Sequence, residues 1–237
     1  GRAWTWDAIT YSDMIIDKDS VIATERPVII SGGITVKEGA TLTIAAGTTL
    51  YFQQKAGIDV YGRLLVDGTA ERNVILRGGR IDRMFDYLPY DRVSGQWRGI
   101  RLQSSSGDNK FTDCEIRNAV DAIVCDSTTL HLFNTIVHNS SGEGLSARHS
   151  TVVVDYCQFT NTYGDCLGLH GCQATVQHST LAQFYPFSAN RGYALHFVNT
   201  KQYHMTLECL NTIVTGYADD VVMGVKADST TTDLVYH

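Results

Sequence analysis

The stretch NTYGDCLGLHGC, residues 161–172, holds a carboxylate, an imidazole and two thiols within twelve positions. Asp165, His170, Cys166 and Cys172 are residue types that move protons, bind cations or attack carbonyls. Each chemistry also needs spacing. No CxxC pair with a matching second pair and no HExxH-like pair is present, so a metal cluster is not expected. Neither thiol has a base set beside it by the pattern, and a buried thiol acting as a small apolar group accounts for it as well.

The carboxylate belongs to a set. Asp121, Glu143, Asp165 and Asp220 each stand two residues before a short apolar run opening at Ile123, Leu145, Leu167 and Val222. Tyr193 takes that place before Leu195, with Arg191 just ahead of it. If the runs stack, neighbouring carboxylates lie about 5 Å apart on one edge. In water that repulsion is about 1 kcal/mol, which an exposed turn tolerates, and acidic residues favour turns. The same column could instead supply paired carboxylates for cleaving a polysaccharide, with Glu143, Asp165 and Asp220 assisted by Arg191 or His170. Ca2+ is the one cation such an edge would suit; no other cofactor is expected.

Two further stretches interrupt the pattern. GGRIDRMFDYLPYDRVSGQWRGI (78–100) alternates arginines with aspartates around Phe85, Tyr87, Tyr90 and Trp97. AQFYPFSANRGY (182–193) presents Tyr185, Phe187, Arg191 and Tyr193. Ring faces pack on the apolar face of a pyranose while charges bond its hydroxyls or carboxylates. Phe85, Tyr87, Tyr90, Arg92, Tyr185, Phe187, Arg191 and Tyr193 are therefore the ligand-binding candidates. Both loops could equally fold down and cover the scaffold.

The scaffold is written in the repeats. Ile123, Leu145 and Leu167 are 22 residues apart, as are Leu42 and Leu64. Between these marks lie runs of three to five residues alternating with period two, split by Gly, Asn and Asp. About three short strands per repeat of 20–26 residues predict an all-β chain, a right-handed parallel β-helix solenoid of roughly nine coils. Such a rod is about 40 Å long. In that frame Asn118, Asn139, Asn161 and Gln183 form one column, at a turn needing left-handed backbone. Cys114, Asn134, Cys157 and Ser179 are expected in one inward slot, Cys125, Ala147 and Leu169 in another, and Ile136 and Ile213 face inward. Asp126, Arg148 and His170 share an outward column. Residues 1–27 are expected as a capping segment and 28–237 as the solenoid, with loop insertions at 78–96 and 182–193.

ITVKEGATLTIAAGTTLYF, GRLLVDGTAERNVILRG and LPYDRVSGQWRGIRL resemble the right-handed parallel β-helix repeat proteins of Bacteroidetes envelopes, many of them lipoproteins. The resemblance covers nearly the whole chain, most specifically residues 34–102, and the second half is similar to the generic pectate-lyase-like repeat. It implies export to the cell surface or periplasm and a preceding domain, consistent with an opening, GRAWTWDAITYSDM, that reads as the middle of a polypeptide. It implies no activity. YGDCLGLHG and YADDVV are similar to the aspartate motifs of polygalacturonase-like enzymes, but the expected Gly-His segment and downstream Arg-x-Lys are missing.

Composition narrows the partners. A net charge of −6 lacks the basic footprint of a nucleic-acid binder. No apolar run reaches the roughly 18 residues that span a bilayer, so membrane contact is expected only through a lipid anchor. The expected function is a non-catalytic envelope module presenting its loops to a polysaccharide or an envelope protein. A polysaccharide lyase or glycoside hydrolase is the alternative.

Overall fold

A computed structural model describes residues 7–199, 202–203 and 205–225, and the backbone of the strand Thr232–Tyr236. The chain is a right-handed parallel β-helix solenoid, with nine coils among the described residues. Three parallel sheets run along it. The coil that begins at Gln158 is typical: Gln158–Thr162 lies on the first sheet, Leu167–His170 on the second and Gln173–Gln177 on the third. Each pairs in register with the coils on either side.

Alternation within these runs decides what enters the core. Leu130, Val152, Ala174 and Leu207 pair in one column, and all are buried. A single coil cannot cover its own apolar face, so the neighbours stack and bury a continuous core. At the start, Ile9–Ile16 pairs with Val28–Val36 and Ser20–Ile22 with Thr41–Ala45. The described part of residues 1–27, expected as a capping segment, thus pairs onto the next coil as the first coil of the stack.

From Asp113 onward the corners turn on single left-handed residues. Between the third and first sheets these are Asp113, Asn134, Tyr156, His178 and Asn211, with φ from 45° to 53°. Four of these five reversals are closed by the next small side chain, which donates back to the carbonyl two residues before it. Thr135 Oγ1 donates to Phe133, Cys157 Sγ to Asp155, Ser179 Oγ to Gln177 and Thr212 Oγ1 to Leu210. Cys114 therefore pairs with Thr135 and not with Asn134, which donates to Asp113. The left-handed residue resets the alternation, so Ile136 and Ile213 point outward, 42% and 62% exposed, and Val137 faces the core. The expected inward column of Cys125, Ala147 and Leu169 is present, as is the outward one of Asp126, Arg148 and His170.

All six cysteines are buried and free. Burial pushes the Cys125 and Cys157 thiols up to about 12 and those of Cys166 and Cys209 up to about 11. They fill space and close corners; none is poised as a thiolate.

Candidate functional site: a groove between two insertions

Both insertions leave the solenoid at the same corner, between the first and second sheets. The first departs after Val74–Gly78 and returns at Ile100–Leu102; the second departs after Thr180–Gln183 and returns at Leu195–Val198. Four coil rises, about 19 Å, separate their roots. In the three coils between them the corner is a short turn built on Asn118, Asn139 and Asn161, with φ of 64°, 56° and 55°.

The first insertion is sewn to that corner. A short hairpin, Arg83–Phe85 with Leu88–Pro89, leads into one 3-10 turn at Tyr90–Arg92. Asn118 Nδ2 donates to the carbonyls of Asp91 at 2.7 Å and Val93 at 3.1 Å, and Asn139 Nδ2 reaches Asp91 at 3.5 Å. The Asn118 and Asn139 amides are thus spent on the loop. Asp91 lies between Arg77 and Arg117, at 2.9 and 3.4 Å. Arg117 also meets Glu115 at 2.9 Å, and His138 Nε2 is 3.0 Å from the same carboxylate. The His138 hydrogen bond, followed by Arg117, holds Glu115 below the usual carboxylate range despite its burial. Trp97 ends the loop inside the core, stacked on Phe52 at 4.3 Å with its indole N–H on the Arg117 carbonyl. Gly99 then turns the chain at φ 95°, where a Cβ would lie 1.7 Å from the Asp121 carbonyl oxygen.

The two insertions lean together. Ser94 Oγ and Tyr185 Oη are 3.2 Å apart, and Tyr185 packs edge-on against Tyr163 and Phe187. Below that junction opens a groove of about 650 Å³, lined by Tyr87, Leu88, Asp91 and Arg92 of the first loop and by Pro186 and Phe187 of the second. His138, Asn139 and Asn161 line it from the solenoid. Tyr87 is 80% and Phe187 52% exposed. Among the described residues the Arg92 guanidinium has no hydrogen-bond or ion-pair partner.

The eight ligand-binding candidates therefore divide. Tyr87, Arg92 and Phe187 line the groove, and Phe85 stacks on Tyr87 at 5.6 Å. Tyr90 lies under Arg80, 3.6 Å from ring centre to guanidinium, on the far side of the loop. Tyr185 is a buried strut, and Arg191 is spent on the Ser188 carbonyl and the Tyr217 ring. Tyr193 belongs to the acidic column. His138, Asn139 and Asn161 were not expected at the site: His138 could be assigned outward only once the register at Asn134 was known, and both asparagines read as turn residues.

The acidic column is in register but does not form one centre. Asp121 Oδ1 accepts from the Glu143 backbone N–H, and Asp165 Oδ1 accepts from that of Tyr193 at 2.7 Å. Asp165 Oδ2 meets His196 Nδ1 at 2.7 Å, so both its oxygens are engaged. Tyr193 stands between Asp165 and Asp220, and Arg191 points away to Ser188. His170 lies one column further out, its basicity lowered first by burial and then by His196. Of the five residues of the catalytic alternative, only Glu143 and Asp165 are neighbours. No group of three or more His, Cys, Asp or Glu able to hold a metal occurs among the described residues.

Among curated proteins the chain is 39% identical over 67 residues to protein bark beetle of Drosophila melanogaster, a match covering 28% of this chain and 2% of that protein. The chain thus spans about one fiftieth of that relative's length. Among solved structures it is similar to the Dettilon tailspike protein, with TM-score 0.38 and 9% identity over 95% of this chain and 63% of that one. ORF18 of Geobacillus virus E2 gives 0.35 and 10% over 76% and 40%. Neither superposition is close enough to bear on function. The family described as right handed beta helix region matches residues 28–209, well over half of the chain, and the chain belongs to that family.

Proposed function

We propose that the chain is a non-catalytic binding module that takes a glycan in the groove between its insertions. One observation carries the reading: two exposed rings, Tyr87 and Phe187, from loops rooted four coils apart, line one groove together with an unpaired Arg92. Rings can cover the apolar faces of sugar residues. Arg92 offers charge-assisted hydrogen bonds, and Asn139, Asn161 and His138 offer donors and acceptors for hydroxyls. The volume falls in the range of ordinary ligand sites, about 300–1,000 Å³. An envelope protein is the other partner a display loop could serve, but a narrow groove mixing rings and amides suits an oligosaccharide better. Binding of this kind draws on no cofactor. The module would work exported, at the cell surface or in the periplasm, with any membrane attachment through a lipid anchor.

The test is a panel of plant, host and bacterial polysaccharides immobilised for retention and assayed in parallel for cleavage. Retention of at least one polymer without products is expected. Tyr87→Ala and Phe187→Ala should each weaken it by about five- to tenfold. Cleavage products that vanish in Asp165→Asn, or retention untouched by both ring variants, would overturn the proposal.

A further inference from the structure

The first insertion also interrupts the backbone ladder that joins one coil to the next. In later coils the ladder continues through the same corner: Ser141 and Gly142 donate to the carbonyls of Ala119 and Val120, and Gly164 to Gly142. Beside the insertion it stops at Gly79, whose N–H meets the Phe52 carbonyl at 2.7 Å, and resumes at Arg98, which meets Ala56. Between those points a cavity of about 630 Å³ opens. Gln53 and Gln54 form one bank, Val93, Ser94 and Gly95 the other, and Phe52 lines it from the core.

The banks offer backbone and amide groups, not charge. Gly95 and Gln96 donate to Ala119 and Asn118 of the next coil, so this stem is laddered on one side only. Among the described residues the Ser94 N–H and carbonyl take part in no hydrogen bond, nor does the backbone of Gln54. Both glutamines of the first bank are exposed. Gln96 is buried and fixes the stem: its amide donates to the Val93 carbonyl at 2.8 Å and accepts from the Arg80 N–H at 3.2 Å. Arg80, the cation at the rim, is held by both Asp82 oxygens at 2.8 and 2.6 Å. An acid therefore finds no open cation here. A sugar finds the rings engaged, Tyr90 by Arg80 and Phe52 by Trp97. A peptide suits both banks. Its N–H and C=O groups match theirs without adding charge, and an aliphatic side chain can cover Phe52 and Val93.

We infer that this gap binds an uncharged, extended peptide segment of a partner protein. One aliphatic side chain lies on Phe52 and Val93, and the peptide groups beside it bond the Ser94 backbone and the amides of Gln53 and Gln54. The site does not depend on glycan binding, because the turn Tyr90–Arg92 parts the two cavities: Tyr90 lines this one, Asp91 and Arg92 the groove. It is tested by titrating the full chain with the blocked tripeptides acetyl-Val-Leu-Val-amide and acetyl-Val-Asp-Val-amide, followed by NMR, beside N-acetylglucosamine. Saturable binding of the leucine peptide is expected, about tenfold tighter than the aspartate peptide, with shifts at Gln54, Ser94 and Gly95. Val93→Asp, which sets a charge against the side chain, should weaken it by about tenfold or more. Gln53→Ala with Gln54→Ala, in an exposed turn that keeps its fold, should weaken it about three- to fivefold and decides alone where Val93→Asp disturbs the loop. Tyr87→Ala and Phe187→Ala should leave it unchanged. No saturable binding of the leucine peptide, equal affinity for the aspartate peptide or N-acetylglucosamine, or full affinity in the double glutamine variant would overturn the inference. So would shifts confined to Asn139 and Asn161, which would put the peptide in the groove.

Discussion

Two corners of the same solenoid solve the same turn in different ways. Between the third and first sheets, Asn134, Tyr156, His178 and Asn211 are each followed by a small donor that satisfies a local carbonyl, and side chains outside stack on one another. Tyr156 lies on His178 at 4.7 Å, and Phe133 meets Tyr156 edge-on at 5.7 Å. From Asp113 onward that corner is a single residue in each coil, whereas one coil earlier six residues, 68–73, stand opposite Asp113. Between the first and second sheets, the asparagines have amides that their own coils do not satisfy. Asn118 Oδ1 remains buried without a partner even after its Nδ2 groups are used. A buried polar group costs free energy until something bonds it, and here a loop backbone does so. A corner with polar groups to spare can hold an insertion in one place.

Substitutions can break that contrast. Asn118→Ala removes both amide donors to the first insertion and places a Cβ-bearing residue without a compensating side chain at φ 64°. It should cost about 3 kcal/mol in chemical denaturation and loosen the loop together with any glycan retention. A loss below about 0.5 kcal/mol would mean that the loop holds itself.

Glu115→Gln acts beneath the same loop and should cost about 2 kcal/mol at neutral pH. The sign is set by the lowered carboxyl: its stabilisation is present above the unfolded carboxylate range and is lost as pH falls through the folded value. The gap between parent and variant in denaturation should therefore narrow as pH is lowered from 7. Parallel curves would assign the loss to packing. At the other corner, Tyr156→Gly relieves a left-handed tyrosine while removing its ring contacts. The two terms oppose, and the melting midpoint should correspond to a change within about 1 kcal/mol of the parent. A large drop would show that the stacked column also depends on its neighbours.

Much of the fold is legible in residue order, because a 22-residue recurrence leaves few other ways to bury the apolar positions. The columns through Asp126, Arg148 and His170 and through Asp121, Glu143 and Asp165 follow from counting alone. Counting fails at Asn134 and Asn211, where a left-handed residue advances the chain without preserving which face the next side chain takes. The site is legible by halves. The insertions announce themselves as departures from the repeat, and Tyr87, Arg92 and Phe187 come with them. That loops rooted four coils apart meet, and that His138 lies under them, depends on how far each leans, which no spacing encodes. Tyr185 and Trp97 show the limit from the other side: aromatic residues in exposed-looking loops that turn inward as anchors.

The hydroxyl contact between Ser94 and Tyr185 has a mechanical consequence. Linear arrays with nearest-neighbour coupling can open at any point and unravel layer by layer. A brace from the fourth turn of the rod to the eighth couples the layers between, so that none can peel away without first releasing it. Fraying should then be confined to the two ends, and the central block should open as one unit.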